Sequence, residues 1–375
     1  MKIIIAPNAF KDCLSSPEVA NAIEAGIKKV LPSAKTEKIP VADGGDGLID
    51  VLLEPLNGKI INTFVTGPRY KKTNSEFFYS QNTHIAVIEM AKASGLALLK
   101  NSERDVTQTT TFGTGELIAE ALNLGAKHIY VGIGGSATND GGMGLASALG
   151  INFYDKKRQK LKPIGESLNS IDFIDFSNID KRISNTKIDI ICDVDNPLTG
   201  PNGAAHVYGP QKGATKEQVK ILDNGLVHLA KVIKEQKNID VSNIPGAGAA
   251  GGLGAGLIAF FGANLKPGID VVLELLNFDE KLKNVDLVIT AEGQIDNQTI
   301  YGKAPSGVAK LAKSKNIPCI AIAGGVGDDI ENLYEIGIKS IFSICPKPVT
   351  LDTSIKNGAQ YITNITEQII RTFTL

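Results

Sequence analysis

The sequence predicts a two-domain α/β protein in which one domain is inserted into the other. Its 375 residues exceed what one hydrophobic core usually supports, so about two domains are expected. Short apolar runs of β type alternate with helical patterns, which is typical of a doubly wound parallel sheet of the Rossmann or flavodoxin type. The strands of this sheet come from both ends of the chain, so the middle is expected to form an inserted α/β domain.

The outer, discontinuous domain is expected to cover residues 1–58 and 266–375. Its strands are predicted from buried apolar runs at Lys2–Ala6, Glu37–Val41, Asp286–Thr290, Ile317–Ala323 and Ser340–Ile344. Its helices are predicted from the apolar periodicity at Ser16–Val30, Lys303–Ser314, Asp329–Ile336 and Asn357–Thr374. Ser15 or Ser16 suits the N-cap of the first helix, and Pro17 suits its first turn.

The inserted domain is expected to cover residues 59–265. Its predicted strands are Lys59–Val65, Ser75–Tyr79, His84–Met90, His128–Gly132 and Ile188–Val194. Helices are expected at about Thr114–Leu124 and Gly141–Leu149. The polar segment Asp155–Lys187 is expected to be an irregular excursion on the surface.

Composition excludes several classes of function. A net charge of −1 with 21% charged residues gives no field that would attract nucleic acid or an anionic membrane. No apolar stretch approaches the ~20 residues of a transmembrane helix. The cysteines and histidines show no zinc or redox spacing, so a reducing cytoplasm is expected and a histidine-dependent mechanism is not.

Glycine is concentrated in two clusters that could contact a phosphate. Residues 132–142 (GIGGSATNDGG) follow a predicted strand, so their backbone N–H groups could approach a phosphate, and Ser136 and Thr138 could add hydroxyl donors. A tight turn without a ligand is the alternative. Residues 246–256 contain a G-x-G-x-x-G without a clean preceding strand, so a nucleotide-contacting turn and simple close packing stay equally open. The sequence has no G-x-x-x-x-G-K-[ST], which excludes the P-loop class.

Acidic pairs lie at or just after the carboxyl ends of three predicted strands, at the sheet edge where open α/β sheets bind ligands. The pairs are Asp43 with Asp46, Asp193 with Asp195, and Glu292 with Asp296. Extended residues two apart face the same side, so Asp193 and Asp195 could share a magnesium ion. A single acidic turn usually caps a helix, whereas three of them favour a catalytic or metal-linked site.

Arginine is scarce, and the five in the chain are Arg69, Arg104, Arg158, Arg182 and Arg371. A bidentate guanidinium is the best holder of a carboxylate. Arg69 follows Gly67-Pro68 and Arg104 precedes the hydroxyl-rich residues 107–111, so both are candidates, with an ordinary surface role as the alternative for each. Lys11 lies just beyond the first strand, where a ligand-facing cation is expected.

Several long motifs, in a fixed order, resemble those of the bacterial glycerate kinases that are unrelated to P-loop kinases. The matching segments run from end to end: residues 6–11 (APNAFK), 42–47 (ADGGDG), 134–142 (GGSATNDGG), 192–198 (CDVDNPL), 209–213 (GPQKG), 246–254, and Glu292-Gly293 with Asp296, Gln298, Gly302 and Lys303. Departures at Ala291, at Gln294 and in the 67–71 loop bear on substrate preference. The resemblance implies two α/β domains with the active site in the cleft between them.

The resemblance also implies the reaction. The γ-phosphoryl group of ATP would pass, with Mg²⁺, to a hydroxyl of D-glycerate, with 2-phosphoglycerate favoured as the product and 3-phosphoglycerate as the alternative. Catalysis would rest on positioning and charge neutralisation. Nucleotide contacts are expected from Gly134, Gly135, Ser136, Thr138, Gly248, Gly251 and Gly252.

The remaining roles are our inference and are assigned to charged residues and to Asn8. Lys11 would neutralise phosphate charge. Asp193 would carry magnesium together with Asp195, or would act as the catalytic base, with Asp296 as the second candidate for that base. Substrate contacts are expected from Asn8, Asp43, Arg69 and Arg104.

Two other classes of function compete with this interpretation. A non-catalytic two-domain binding protein would not explain the acids at the strand ends. A nicotinamide-dependent dehydrogenase rests only on the weak G-x-G-x-x-G. A homo-oligomer is left open.

Overall fold

The computed structural model describes residues 1–43, 48–300 and 302–373. Residues 44–47, with Asp46, and the predicted last helical residue Thr374 lie outside the described residues. The chain forms two compact units: unit 1 is Met1–Leu56 with Pro267–Leu375, and unit 2 is Asn57–Lys266. Both units contain parallel strands and helices, which confirms the predicted α/β class.

The chain begins in unit 1 with β1 (Lys2–Pro7), α1 (Ser16–Val30), β2 (Lys35–Lys38) and α2 (Leu48–Leu53). Helix α1 starts and ends where the sequence predicts. The backbone N–H of Ser15 donates to Glu18 Oε2 at 2.8 Å, which is half of a capping box, and Pro17 fills the first turn. Strand β2 begins two residues before its predicted start and ends at Lys38, so Asp43 follows the strand at a distance of five residues.

Unit 2 contains the following elements: β3 (Lys59–Thr66), β4 (Lys72–Ser80), β5 (Ile85–Glu89), α3 (Ala91–Ser94), α4 (Phe112–Asn123), β6 (His128–Gly132), α5 (Met143–Ala148), β7 (Asn152–Tyr154), β8 (Phe173–Asp175), β9 (Lys187–Ile191), α6 (Ala204–Tyr208), α7 (Lys216–Lys237), α8 (Ala249–Phe261) and β10 (Asn264–Lys266). Its main sheet has the order β10-β9-β6-β5-β4-β3. The pairs β3–β4 and β4–β5 are antiparallel, and the others are parallel.

Two expectations for unit 2 are wrong. Strand β9 ends at Ile191 rather than Val194, because Pro197 and the polar residues before it do not continue the ladder. The segment 155–187 is not a mere surface excursion, since Leu168, Ile171 and Ile174 are buried in a core cluster with residues of α7. Apolar residues spaced widely through a polar segment give no strand or helix period.

The chain returns to unit 1 with α9 (Gly268–Leu275), α10 (Phe278–Lys281), β11 (Leu287–Ile295), α11 (Ala304–Ser314), β12 (Cys319–Val326), α12 (Glu331–Glu335), β13 (Ile338–Ser343), α13 (Leu351–Lys356) and α14 (Gly358–Phe373). Its sheet is parallel throughout, with the order β13-β12-β11-β1-β2. Helices α1 and α14 share one core cluster with β1 and β11.

The strand order of unit 1 reverses between β1 and β11. From β1 the chain proceeds to β2 on one side, whereas from β11 it proceeds to β12 and β13 on the other. Helices on opposite faces diverge at such a reversal, and open α/β sheets bind ligands outside the carboxyl ends of the strands there. The residues that follow β1 and those that end β11 therefore occupy the favoured ligand position of this unit.

Candidate active site

In unit 1, charged and amide side chains meet at the carboxyl ends of β1 and β11. The last residue of β1, Pro7, pairs with Ala291 of β11, and the N–H of Asn8 donates to the Ala291 carbonyl at 2.8 Å. The next residue of β11 is Glu292, which is 9% exposed. The parallel register thus places Asn8 and Glu292 side by side at the reversal point.

The carboxyl group of Glu292 has a raised pKa. Its pKa is raised to about 7, chiefly by burial and to a smaller extent by the carboxylates of Asp43 and Asp296. The ammonium of Lys303 and the side chain of Asn8 oppose this rise. Within residues 1–43, 48–300 and 302–373, no hydrogen-bond partner meets its buried Oε2 atom.

Asp296 and Lys303 form a partly exposed ion pair at the same end of the sheet. Lys303 Nζ lies 3.6 Å from Asp296 Oδ1, and Asp296 Oδ1 also accepts from the N–H of Gln298 at 3.0 Å. Lys303 is the N-cap residue of α11. The second candidate base, Asp296, is therefore already paired with a cation.

Lys11 lies in the exposed turn that follows β1. This turn is closed by a bridge between Phe10 and Leu14. A Cβ atom at Gly293 would lie 3.5 Å from the Lys11 nitrogen, so the glycine lets the turn lie close against β11. The turn thereby keeps Lys11 beside the end of β11, with its side chain exposed.

In unit 2, the loop 134–142 divides into an exposed part and a buried part. Gly134 and Gly135 are exposed, and Gly135 has a φ of 70°, which favours glycine. A side chain at Gly134 would meet nothing within 4 Å. Ser136 and Thr138 are buried. The open backbone that a phosphate could approach is therefore the Gly134–Gly135 portion.

Backbone N–H groups in and just after the second half of this loop donate hydrogen bonds within unit 2. Buried Asp140 accepts hydrogen bonds from the N–H groups of Thr111 at 2.7 Å and of Gly142 and Gly144 at 3.1 Å each. The N–H of Gly141 donates to the Gly251 carbonyl at 3.0 Å. Burial raises the pKa of Asp140, and these hydrogen bonds oppose the rise. A nucleotide cannot use N–H groups that are already bonded.

The buried side chain of Lys212 holds the 134–142 loop by hydrogen bonds. Its Nζ donates to Ser136 Oγ at 2.7 Å and to the Thr138 carbonyl at 2.8 Å. Burial lowers its pKa to about 7, and the carboxyl of Asp140 opposes this. One lysine therefore fixes two of the residues to which the sequence assigns nucleotide contacts.

The second glycine cluster packs against the first. Gly251 and Gly252 have φ values of 70° and 86° and are buried at the start of α8. A Cβ atom at Gly251 would overlap the Thr138 carbonyl and lie 2.5 Å from Asn139 Cα. Gly248 donates its N–H to the Asn196 carbonyl at 3.0 Å. Close packing thus explains these glycines, and their contact with a nucleotide stays a prediction.

The two candidate arginines lie at one short segment. Arg69 Nη1 donates to the carbonyl of Glu103 at 3.2 Å and lies 3.9 Å from Asp105 Oδ2. Arg104 lies between those two residues in sequence. Its buried Nε has no hydrogen-bond partner within the described part of the chain. Of the two guanidinium groups, that of Arg104 thus has a donor left without a partner among the described residues.

Asp193 and Asp195 are both exposed in the irregular segment after β9. Among the described residues, no group of three or more histidine, cysteine, aspartate and glutamate side chains is placed to hold a metal ion. Two carboxylates that share a magnesium ion with substrate phosphates would not need a third. The helices of the described ranges include none that is long and apolar enough to cross a membrane.

The chain is similar to known proteins over nearly its whole length. The model of the glycerate kinase family matches residues 3–374. A glycerate kinase of Bacillus subtilis is 48% identical, covering 96% of this chain and 95% of that protein. The glycerate 2-kinase of Escherichia coli is 45% identical, covering 100% and 98%.

This chain belongs to the glycerate kinase family. A crystal structure from Salmonella typhimurium LT2, assigned as glycerate kinase 2, agrees with a TM-score of 0.90 at 44% identity and covers 100% of this chain and 98% of its own. Family membership gives the chain the enzyme class of a kinase, which confirms the resemblance seen in the sequence. A non-catalytic binding protein and a dehydrogenase are not supported.

Three residues that are prominent in the structure receive no individual role from the sequence. Glu292 is noticed only as a member of an acidic pair, and Lys212 and Lys303 only as letters of matched motifs. A fully buried lysine leaves no trace in local periodicity, because its partners are 74 and 76 residues away. An isolated lysine between Pro210 and Gly213 in a matched motif is the one signal that could have found Lys212.

Proposed function

We propose that this enzyme transfers the γ-phosphoryl group of ATP to D-glycerate with Mg²⁺ as cofactor, and that the product is 2-phosphoglycerate. The observation that carries the proposal is identity of 45% over the whole chain to a protein named glycerate 2-kinase. The alternative product is 3-phosphoglycerate. We place the enzyme in the cytoplasm, where its free cysteines would stay reduced.

Direct nucleotide contacts are assigned to the exposed backbone at Gly134 and Gly135, and the buried Ser136 and Thr138 are expected to support that backbone. These residues lie in a loop with positive φ, and Lys212 holds its inner side. Backbone N–H groups in such a loop suit phosphate oxygens. Gly251 and Gly252 pack against this loop, so their effect on the nucleotide is expected to be indirect, and a contact from Gly248 stays a prediction.

Magnesium fits the carboxylate pair of Asp193 and Asp195. Both side chains are exposed, and carboxylate oxygens are the donors that Mg²⁺ prefers. When bound, the ion would neutralise charge on the transferring phosphate. Lys11 would add a second positive charge from its exposed turn.

The substrate carboxylate is assigned to Arg104 or Arg69, and Asn8 and Asp43 are assigned to the hydroxyl groups. Arg104 is favoured because its buried Nε lacks a partner among the described residues, whereas Arg69 already faces Asp105. A guanidinium gives a carboxylate two parallel hydrogen bonds. Arg104→Lys keeps the charge but loses that geometry, and we expect it to raise the KM for D-glycerate more than Arg69→Lys does.

A coupled assay for ADP release tests the proposal. Purified enzyme with Mg-ATP should release ADP in proportion to D-glycerate, and other hydroxy acids should react more slowly. ADP release that does not depend on glycerate, with good activity on another hydroxy acid, would contradict the proposed substrate. Replacing ATP by NAD tests the dehydrogenase alternative in the same experiment.

A further inference from the structure

Glu292 occupies the ligand position that the topology of unit 1 creates. Strand β1 ends at Pro7, which pairs with Ala291, so Glu292 is the first residue of β11 beyond the end of β1. It lies where the strand order reverses, and open α/β sheets bind ligands outside the strand ends at that point. This placement follows from strand pairing alone.

One carboxyl oxygen of Glu292, Oε2, is buried and lacks a hydrogen-bond donor within the described residues. The groups that shift the pKa of this carboxyl, besides burial, are Asn8 after β1, Asp43 after β2, Asp296 after β11 and Lys303 at the start of α11. A buried carboxyl oxygen without a donor is unfavourable, so a structural role does not explain the residue. A hydroxyl donor from a bound substrate would.

We propose that Glu292 is the catalytic base that accepts the proton of the D-glycerate hydroxyl, an inference that rests on the proposed function. The hydroxyl O–H bond breaks and its proton passes to Glu292 Oε2. The substrate oxygen forms a bond to the γ-phosphorus while the bond between that phosphorus and the bridging oxygen of ADP breaks. After product release, Glu292 returns the proton to solvent.

The charge state of the group supports this role. A base that works near neutral pH needs a pKa near the working pH, and burial raises the pKa of Glu292 to about 7. Asp296, the second candidate from the sequence, lies beside Lys303 and accepts a hydrogen bond from Gln298. The assignment leaves Asp193 to carry magnesium.

Glu292→Gln tests the proposal, because glutamine keeps the shape but cannot accept the proton. We expect kcat to fall by about 10²- to 10³-fold. In the wild type, kcat should fall as the pH drops through about 7, because Glu292 becomes protonated, and this acidic limb should vanish in the variant. Removing a buried charge should leave the melting temperature at pH 8 equal to that of the wild type or higher. Glu331→Gln, an exposed residue of α12, is the matched control and should behave as the wild type.

Other outcomes separate the alternatives. A stable Glu292→Gln enzyme with kcat within about 3-fold of wild type overturns the proposal, and so does recovery of its activity at high magnesium, which would indicate a metal ligand. If Glu292→Gln does not fold, Glu292→Asp must retain the acidic limb with a lower kcat, and a wild-type profile that is flat between pH 6 and 8 overturns the proposal. A wild-type enzyme without glycerate-dependent activity contradicts the proposed function itself.

Discussion

Lys212 offers a test of the loop that we assign to the nucleotide. Lys212→Met keeps the length of the side chain and removes both its charge and its hydrogen bonds to Ser136 and Thr138. A hydrogen bond contributes about 0.5–1.5 kcal/mol, so the two bonds together are worth about 1–3 kcal/mol, and a tenfold change corresponds to about 1.4 kcal/mol. We therefore expect the KM for ATP to rise by roughly 10- to 100-fold, and the KM for D-glycerate to change less.

The same substitution has a signature in stability that depends on pH. Burial lowers the pKa of Lys212 from 10.5 in its ordinary state to about 7 in the folded enzyme. Between these values the unfolded chain binds the proton and the folded chain does not, so stability from this group rises with pH. The penalty of burying the charge is complete below about pH 7 and is relieved as the pH rises toward 10.5.

The slope of this effect follows from linkage. It is about 1.4 kcal/mol per pH unit, so the free energy of unfolding of the wild type minus that of Lys212→Met should rise by roughly 2 to 3 kcal/mol between pH 7.5 and 9.5. Urea unfolding followed by circular dichroism at each pH measures it. Lys220→Met, an exposed lysine of α7, should give curves parallel to those of the wild type. Parallel curves for Lys212→Met, with an unchanged KM for ATP, would refute the reasoning.

Three further predictions concern the glycines and the acidic pair. Gly135→Val should raise the KM for ATP or abolish activity, because Cβ bulk blocks close approach and strains a positive φ; normal nucleotide kinetics in a folded variant would remove the loop from the site. Gly251→Ala should lower the free energy of unfolding by about 2 kcal/mol or more, since its Cβ meets Thr138 in a left-handed conformation, and an unchanged urea midpoint would show that the turn adjusts freely. Asp193→Asn should lower kcat and regain part of it in a magnesium titration; a kcat within about 3-fold of wild type, or about 0.65 kcal/mol, would exclude Asp193 from the mechanism.

Regular periodic elements of the fold could be predicted from the sequence. The sequence predicts helix α1 to the residue because Ser15, Pro17 and an amphipathic stripe all indicate the same boundary. Strand β6 was likewise predicted with its observed bounds. The 22-residue helix α7 was missed, because its many lysines weaken the apolar pattern. The segment before it was misjudged for a related reason, since Leu168 and Ile171 are buried by long-range contacts.

The candidate site could be predicted only in part. The glycine clusters were visible as composition, but their packing against each other depends on the contact of Gly251 with Thr138 across more than 100 residues. Glu292 is buried, whereas its neighbour Asp296 is partly exposed beside Lys303, and no local pattern encodes this difference. Tertiary contacts decide which acid of the pair has a shifted pKa. The sequence therefore identifies the acidic pair but not the member that is buried.

The measurement that tests the account most directly is phosphorus NMR of the reaction product. Enzyme, Mg-ATP and D-glycerate are incubated, and the phosphorus signal of the new phosphoglycerate is compared with those of authentic 2- and 3-phosphoglycerate. We expect ADP and 2-phosphoglycerate to form in equal amounts. A product phosphorylated at the 3-hydroxyl would contradict the proposed position of transfer, and ATP turnover without any phosphoglycerate signal would contradict the proposed reaction.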